Sequence, residues 1–395
     1  MKLGLVTSLP PSKVTLNEYG YHLTRHFSAL EGVQELVVFS DVTQQQASIS
    51  LALDASKVKI EKSWSFNNGW SVVTMLKSIR KNRPDVVLFN LQFMKFGDKK
   101  IQAALGLLLP FLVRLLGISV VVLMHNIVET TNFEKAGFTG SNFKIRIFKW
   151  IGNFLTRILL RSHLVVVTMD DYREVLSNKH NASNVIHIPH GTFDLEDQTE
   201  LPKKDDTFRI LTFGKFGTYK KVEHLIEATQ KFVERSELPV ELVIAGTNNP
   251  NSPNYLEEIE QQYKELDYLR FTGYVEENDV PELFNKSDVV VFPYVATTGS
   301  SGVLHQAGSY KKAAIMPKIG DLQRLVVEEG YSGAFFETGD AESLANAISE
   351  LAENTALREQ IGQTNYKAAT AFPMSKVVKM YEEEFVKLTG LRRAA

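Results

Sequence analysis

Two loops in the second half of the chain carry residue types that suit phosphate binding. The first lies between Phe292 and Ala307 and includes the run Thr-Thr-Gly-Ser-Ser-Gly at 297–302. It follows the apolar run Asp288–Phe292, typical of a buried parallel strand, and precedes a segment that can begin a helix at Val303. Such loops direct backbone N–H groups outward at a helix N-terminus, where they bind phosphate without a metal. The pattern predicts a phosphate site here.

A second candidate phosphate loop lies earlier, at Phe213–Lys221, with the sequence FGKFGTYKK. It too connects an apolar strand-like run to a helix-like segment. Lys215 and Lys220 are candidate counter-charges for a departing phosphate, and preorganised groups of this kind contribute about 2.7–4 kcal/mol each to a transition state. Because both loops fall in one half of the chain, we expect a diphosphate ligand, most simply a nucleotide sugar.

Composition limits the classes of protein to consider. A chain of 395 residues is too long for one ordinary core, so two domains are expected. The net charge of −2 gives no global attraction to nucleic acid. The absence of cysteine excludes disulfides, thiolate nucleophiles and cysteine–zinc sites, and it fits a cytoplasmic protein. The segment Met1–Pro10 is too short for a signal peptide and is typical of a first strand.

Alternating strand-like and helix-like runs indicate an α/β fold with parallel sheets. We expect a Rossmann-like domain at 1–195, a polar linker at 196–206, a second such domain at 207–373, and a helix at 374–395 that could pack back on the first domain. The predicted strands are Leu3–Thr7, Glu35–Phe39, Val86–Asn90, Ser119–Met124 and Leu164–Thr168, then Arg209–Phe213, Glu241–Ala245, Leu269–Thr272, Asp288–Phe292, Ala313–Met316 and Ala334–Phe336.

Four stretches, in this order and spacing, resemble the retaining glycosyltransferases of family 4 type. These are FGKFGTYKKVEHLIEA at 213–228, VIAG at 243–246, FTGYV at 271–275 and VPELFNKSDVVVFPY at 280–294. The resemblance implies the GT-B architecture, in which two Rossmann-like domains face each other across a cleft. It also implies transfer of a sugar from a nucleotide-diphosphate donor to an acceptor hydroxyl, as in surface polysaccharide or glycolipid synthesis.

The resemblance implies roles for particular residues. Thr298 and Gln306 stand where the family has two glutamates eight positions apart. Gln306 can donate to and accept from ribose hydroxyls, whereas Thr298 supplies no carboxylate. The implied catalytic residues are His125, Lys215 and Lys220; the donor-binding residues are Gly214, Gly246, Tyr274, Thr298, Gly299, Ser300, Ser301, Gly302, Val303 and Gln306; the acceptor-side residues are Glu18, Tyr19, Asn126 and His190.

We therefore expect a retaining, nucleotide-sugar-dependent hexosyltransferase without a metal or other cofactor. The sequence has no Asp-x-Asp pair, and the pairs His22/His26 and His125/Glu129 lack an evident third ligand. Two alternatives stay open. One is a catalytically degenerate GT-B pseudo-enzyme that binds a partner or nucleotide, which Thr298 and Gln306 support. The other is a sugar-nucleotide epimerase of the same fold.

Residues 143–161 are basic, aromatic and amphipathic, a composition that suits a helix lying on anionic lipid. The competing interpretation is a helix packed on its own sheet, with Trp150 in the core. The apolar stretch Ile101–Met124 is long enough to cross a bilayer. Pro110 and Gly117 interrupt it, so we expect a helix to about Leu116 and then a core strand. The localisation expected is cytoplasmic, peripheral at the inner membrane face.

Overall fold

The structure, a computed structural model, describes residues 1–42, 53–130, 142–193, 205–249, 252–296 and 301–390. Within them the chain forms two compact units. The first unit contains the described residues up to His190 together with the last helix, which begins at Met374. The second unit contains the described residues between Gly191 and Pro373.

The first unit is a parallel sheet of seven strands in the order β3-β2-β1-β4-β5-β6-β7. Its strands are β1 (Lys2–Val6), β2 (Glu35–Asp41), β3 (Val58–Trp64), β4 (Val86–Leu91), β5 (Ser119–Met124), β6 (Leu164–Val167) and β7 (Val185–His187). Its helices are α1 (Asn17–Ala29), α2 (Ser71–Asn82), α3 (Lys100–Leu107), α4 (Leu109–Leu115), α5 (Asn142–Leu159), α6 (Asp170–His180) and, at the end of the chain, α14 (Met374–Thr389).

The second unit is a parallel sheet of six strands in the order β10-β9-β8-β11-β12-β13. Its strands are β8 (Phe208–Phe216), β9 (Val240–Asn248), β10 (Leu269–Gly273), β11 (Val289–Val291), β12 (Ala313–Pro317) and β13 (Gly333–Phe336). Its helices are α7 (Glu223–Val233), α8 (Tyr255–Gln262), α9 (Val280–Lys286) after a short 3-10 turn at Glu277–Asp279, α10 (Gly302–Ser309), α11 (Gly320–Glu329), α12 (Ala341–Glu353) and α13 (Thr355–Ala371).

The predicted fold, two Rossmann-like α/β domains, is confirmed. Both sheets are parallel, and their central strands are buried, which explains why they read as unbroken apolar runs. In each sheet the strand order reverses at one point, between β1 and β4 and between β8 and β11. Ligands of open α/β sheets bind beyond the carboxyl ends of the strands at such a reversal. The fold therefore marks one candidate site in each unit.

Two strands of the first unit escaped the sequence analysis. Strand β3 lies at the sheet edge and exposes Lys59 and Ile60, so it mixes polar and apolar residues instead of forming an apolar run. Strand β7, at the opposite edge, is only three residues long.

The apolar stretch Ile101–Met124 forms two short helices and a strand. Helix α3 ends at Leu107, α4 carries Pro110 in its first turn, and β5 begins two residues after Gly117. Across the described ranges, we find no helix with the length and apolar character needed to span a bilayer.

The last helix, α14, packs on the first helix. The ring of Phe27 lies 6.0 Å from that of Tyr381 and 5.8 Å from that of Phe385, between ring centroids. The last helix of the chain therefore belongs to the first unit. Of the predicted linker at 196–206, residues 196–204 lie outside the described residues.

Candidate functional site

In the second unit, the candidate site is built around Lys220, at the reversal between β8 and β11. A tight turn follows β8, closed by a bond from the Gly217 N–H to the Lys220 carbonyl oxygen at 3.0 Å. A bridge between Lys220 and Tyr294 then ties this turn to the end of β11. The Lys220 ammonium nitrogen lies 4.7 Å from the centroid of the Tyr294 ring, a cation–π contact. The loops after both strands thus hold Lys220 in place.

Glycine allows the Lys220 amine to approach the backbone of β8. A Cβ atom added to Gly214 would lie 2.7 Å from the Lys220 Nζ atom, so any other residue would displace the amine. Gly214 pairs with Gly246 of β9, and a Cβ on Gly246 would lie 1.8 Å from the Gly214 carbonyl oxygen. Both glycines have a φ of +137°, which other residues rarely adopt. The two predicted glycines therefore shape the ends of β8 and β9 around Lys220.

Burial alters the chemistry of Lys220. The side chain is almost fully buried, and desolvation lowers its pKa, an effect that the nearby Tyr219 hydroxyl partly opposes. Desolvation has this effect because it penalises the charged form of an amine. A bound diphosphate would restore the charged form, since an opposite charge nearby raises the pKa of an amine.

Tyr294 links the Lys220 turn to helix α10. Its ring supports the Lys220 amine, and its hydroxyl hydrogen-bonds with Ser301 while burial raises its pKa. Ser301 caps α10, because its side-chain oxygen accepts from the Leu304 N–H at 3.4 Å. Gly302 and Val303 follow in the first turn, and Gln306 is half-buried one turn later. The structure thus brings Ser301 and Lys220 to the same tyrosine.

Other predicted donor residues lie differently. Lys215 is exposed within β8, which extends to Phe216, so the expected strand end at Phe213 and the placement of Lys215 on a loop were wrong. The paired glycines extend the strand, since they let β8 and β9 stay in register as far as Phe216 and Asn248. The side chain of Tyr274 is 68% exposed just after β10. Thr298, Gly299 and Ser300 lie outside the described residues.

In the first unit, His125 stands directly after β5 and belongs to a hydrogen-bonded row across three strand ends. Its Nε2 atom lies 2.7 Å from Oδ1 of Asn90 in β4, and the Asn90 amide donates to the Thr7 hydroxyl, after β1, at 3.0 Å. Because an amide oxygen only accepts, Nε2 carries the proton, and Nδ1 is the acceptor nitrogen. Burial lowers the pKa of His125 well below its ordinary value, with smaller effects from His190 and Lys95. The ring is therefore neutral at pH 7.

The acceptor-side residues divide into two groups. Tyr19, in α1, packs its ring on His125 and His190 with centroid distances of 4.7 and 4.6 Å, and its hydroxyl donates to the His190 carbonyl oxygen at 2.7 Å. These rings form one buried aromatic cluster, whose Tyr19 hydroxyl is committed to the backbone. Glu18 is exposed in the first turn of α1, and Asn126 accepts from the Phe93 N–H at 3.4 Å.

Sequence reasoning missed Lys95, which is fully buried in the loop after β4. Its amine donates to the Ser8 hydroxyl and to the Thr15 carbonyl oxygen, the latter at 2.6 Å. Burial lowers its pKa to about 7, although Asp41 opposes the shift. Lys95 therefore fixes the loop between β1 and α1. A lone lysine four residues after a strand gives no periodic signal that marks it as buried.

Sequence reasoning also gave Asn90 and Tyr294 no role. Here a signal existed. Asn90 interrupts the apolar run of β4, and Tyr294 follows that of β11 after a proline, so each is a hydrogen-bonding side chain at a strand end. Such positions are where α/β sheets place ligand contacts.

Helix α5 has one buried and one exposed apolar face. Gly152 faces Val128 so closely that a Cβ atom would lie 2.5 Å from a Val128 methyl carbon. On the outer face, Trp150 is 69% exposed and Phe154 is 51% exposed, and their rings stack with centroids 6.0 Å apart. The interpretation that buries Trp150 in the core was therefore wrong.

Within the described residues, no group of three His, Cys, Asp or Glu side chains is placed to hold a metal ion. The polar groups at the two candidate sites are a lysine amine, an imidazole nitrogen that accepts hydrogen bonds, and backbone or hydroxyl donors. These groups suit an anionic phosphate and neutral sugar hydroxyls.

Most of the second unit matches the model of a known family. Residues 194–368 match the model of the family described as glycosyl transferases group 1. This stretch, which is similar to that family, contains Lys220, Ser301 and Gln306.

Curated relatives align over part of their length. The O-antigen chain mannosyltransferase C of Escherichia coli is 28% identical over 157 residues, which are 40% of this chain and 40% of that protein. The chain thus spans about two fifths of the length of the curated relatives that it matches.

Solved structures match over nearly the whole chain. A sucrose-phosphate synthase from Thermosynechococcus elongatus is 16% identical, covers 99% of both chains and gives a TM-score of 0.76. The Anabaena protein HepE, in complex with UDP-glucose, is 17% identical, covers 98% of this chain and 100% of its own, and gives a TM-score of 0.70. At these identities the likeness shows the fold, which is the GT-B fold.

Proposed function

We propose that the protein is a retaining glycosyltransferase that moves a hexose from a nucleotide diphosphate to an acceptor hydroxyl. Lys220 carries this proposal. It is a lysine buried at the strand-order reversal of the unit that is similar to the glycosyl transferases group 1 family, with its amine against Gly214 and Tyr294. A cation held in this way stabilises the charge that develops on the departing diphosphate, and groups of this kind contribute about 2.7–4 kcal/mol.

The remaining donor contacts follow from the same cluster. The first turn of α10, with Ser301, Gly302 and Val303, offers backbone N–H groups to a phosphate. Gln306 bonds the ribose hydroxyls as donor and acceptor. In this proposal Lys215 supplies a second positive charge, and the reaction requires no metal because cations and N–H groups hold the diphosphate.

The neutral His125 contacts the sugar that is transferred. Since Nε2 is held by Asn90, Nδ1 accepts a hydrogen bond from a sugar hydroxyl. Retention in such enzymes needs no dedicated base, so we assign none. The site of His125 would thereby orient the sugar, while Lys220 stabilises its leaving group.

The donor and acceptor classes are proposed from the neighbours. HepE was solved with UDP-glucose, so a uridine diphosphate sugar is the first donor to test. A relative is an O-antigen chain mannosyltransferase, so we propose a saccharide acceptor of surface polysaccharide or glycolipid synthesis.

A thermal-unfolding panel tests the donor site. Uridine, guanosine and adenosine diphosphates and their sugars are added to the protein and to Lys220→Ala. A ligand at about 100 times its Kd stabilises the fold by about 2.7 kcal/mol. We expect one base to raise the unfolding temperature of the parent but not of Lys220→Ala, and Lys264→Ala, on the surface of the same unit, to behave as the parent. No shift with any nucleotide would contradict the proposal.

A pseudo-enzyme is the second candidate, and the replacement of two family glutamates by Thr298 and Gln306 favours it. It predicts stabilisation by a nucleotide without sugar transfer to any saccharide acceptor. An epimerase would instead release or rearrange the nucleotide sugar without an acceptor. Product analysis with a radiolabelled donor, with and without acceptor, separates the three.

We also propose that helix α5 docks the protein on an anionic membrane. The stacked rings of Trp150 and Phe154 are exposed on the surface of the helix. The same helix carries the exposed cations Arg146, Lys149 and Arg157. Aromatic rings enter the acyl boundary, and each cation near an anionic surface contributes about 1 kcal/mol.

Vesicle flotation tests the membrane proposal. We expect binding to vesicles that contain anionic lipid, little binding to neutral vesicles, and release at high salt. Replacing Arg146, Lys149 and Arg157 by glutamine should abolish flotation without changing nucleotide-induced stabilisation, and Lys264→Gln should float as the parent does. If the parent protein floats with neither kind of vesicle, the membrane proposal is wrong.

A further inference from the structure

The first unit has a groove that the proposed reaction does not use. It lies between edge strand β3 and helix α2 and has a volume of about 410 Å³. It starts beside Val42 and Ser65, which follow β2 and β3, and it continues along the strand to Glu61 and Lys81. One end of the groove is therefore at the same edge of the sheet as His125.

The groove has a positive charge. Lys62 of β3 lines it from one side, and Lys77 and Lys81 line it from α2. Lys77 and Lys81 are four positions apart, so they share a helix face, where two like charges repel each other. The single carboxylate in the lining, Glu61, already pairs with Lys59 at 2.8 Å. An anion between the lysines would remove their repulsion.

The wall of the groove is rich in hydroxyl groups. Thr74 donates to the Ser63 carbonyl oxygen at 2.6 Å, and Ser71 donates to the Ser65 carbonyl oxygen at 3.1 Å, so both are committed to the protein. The hydroxyl of Ser63 differs. Its oxygen is closed to solvent and finds no hydrogen-bond partner among the described residues, so a ligand in the groove does not reach it. The hydroxyl of Thr74, which lines the groove and donates to the backbone, can still accept from a ligand hydroxyl.

We propose that this groove binds an acidic saccharide, with the carboxylate, sulfate or phosphate of one sugar between Lys77 and Lys81. Lysines suit the charged group because they present strong donors. The hydroxyl-lined wall suits sugar hydroxyls, which both donate and accept.

The saccharide would be a distal part of the acceptor, a step that rests on the proposed glycosyl transfer. Strand β3 lies four positions from β5 in the sheet. At about 4.8 Å for each strand, the groove is about 19 Å from the strand that carries His125. An acceptor reaching both places is an oligosaccharide, and the groove would select acceptors with an acidic sugar several units from the reacting end.

Direct binding tests the groove without requiring transfer. The probes are tetragalacturonate, a sulfated tetrasaccharide, neutral maltotetraose and inorganic phosphate, titrated by calorimetry at low and high salt. We expect at least one acidic tetrasaccharide to bind, with weaker binding at high salt, and maltotetraose to bind at least tenfold more weakly. The double variant Lys77→Gln/Lys81→Gln should weaken binding at least tenfold.

Arg80→Gln is the matched control, because Arg80 is an exposed cation of α2 that does not line the groove. It should bind the acidic probe as the parent does. Equal binding by the double variant and the parent, equal binding of acidic and neutral chains, or binding of phosphate alone would each overturn the proposal. Nucleotide-induced stabilisation, measured on the same variants, reports separately on Lys220, so failure of the groove and failure of the donor site are distinguishable.

Discussion

The two units share a topology, but the polar clusters at their strand-order reversals differ in charge. In both sheets a polar cluster stands beyond the strand ends where the strand order reverses. In the first unit the cluster is neutral, because His125 is held by Asn90 and Thr7 and burial keeps its pKa low. In the second unit the cluster presents the amine of Lys220 against glycine backbone and a tyrosine ring. In each unit the fold fixes where a ligand could bind, and the side chains decide which chemical groups it would meet.

The two clusters differ in how well their buried polar groups are hydrogen-bonded within the protein. A neutral row of hydrogen bonds satisfies its own donors and acceptors, so it is stable without a ligand. A buried amine is poorly satisfied by a ring and a glycine, so an anion improves it. The second unit should therefore gain more from ligand than the first.

The largest expected effect comes from removing the charge of the second cluster. We expect Lys220→Ala to lower the rate of transfer about 10²-fold or more, since one preorganised charge is lost. Lys220→Met should lose about as much, because methionine retains the contact with Tyr294 but carries no charge. Initial rates with the donor that the thermal panel identifies provide the measurement.

The neighbouring Lys221 offers a control for Lys220. Its amine lies 4.6 Å from the Tyr255 ring centroid, so it makes the same kind of contact elsewhere. We expect Lys221→Met to transfer within about threefold of the parent. Lys215→Ala should also lose rate, and it should be non-additive with Lys220→Ala because both act on one charge. Parent rates in both single alanine variants would mean that the diphosphate binds elsewhere.

Much of this comparison was predictable from sequence. Glycines and lysines at a strand end predicted an anion site near the place where the structure buries Lys220, and His125 after the run Ser119–Met124 predicted the polar end of β5. Both follow from local order along the chain, since parallel strands bring their carboxyl ends to one edge. The buried strands were found for the same reason, as apolar runs.

What sequence could not supply was contacts between distant segments. Lys95 reaches Ser8 from 87 positions away, and Tyr294 meets Lys220 from 74 positions away. Whether a lysine is exposed or buried depends on those partners and not on its neighbours in the chain. The length of β8 was misjudged because Gly214 suggested a turn, whereas its pairing with Gly246 continues the strand.

The dependence of stability on pH sharpens the comparison, because the two units contain buried groups whose pKa values shift in opposite directions. Burial lowers the pKa of Lys95 to about 7, while it raises that of Glu329, in the second unit, to about 8. Above pH 7 the unfolded chain holds a proton on Lys95 that the folded chain releases, so stability rises with pH until the unfolded lysine titrates near 10.4. For Glu329 the folded chain keeps the proton, so stability falls as the pH rises from about 4.5 to 8.

Chemical unfolding at several pH values measures both groups. Relative to Lys95→Met, the parent should gain about 2 kcal/mol between pH 7 and pH 9. Relative to Glu329→Gln, the parent should instead lose stability between pH 5 and pH 8. Subtracting the unfolding free energy of the variant from that of the parent cancels the contributions of all other titratable groups. A parent-minus-Lys95→Met difference that does not change with pH would show that Lys95 is solvated.

The neutral cluster should respond less to mutation than the charged one. We expect His125→Asn to lower the transfer rate about tenfold, the value of one hydrogen bond to a sugar hydroxyl. Because the pKa of His125 lies well below its ordinary value, the parent rate should show no titration of this group between pH 6 and pH 8. His224→Asn, on the surface of α7, is the control. A rate in the parent that falls on acidification near pH 6.5, and no longer does so in His125→Asn, would refute a neutral imidazole.

The smallest expected effect concerns Gln306, one turn into α10. If it bonds ribose hydroxyls, Gln306→Glu should keep nucleotide affinity within about threefold, since a carboxylate also accepts from hydroxyls. Gln306→Leu should bind more weakly, because it leaves those hydroxyls without a partner. Calorimetric titration of the preferred nucleoside diphosphate gives both affinities. Complete loss of binding in Gln306→Glu would instead place Gln306 against the phosphates, where a new negative charge repels the ligand, and would move the ribose away from α10.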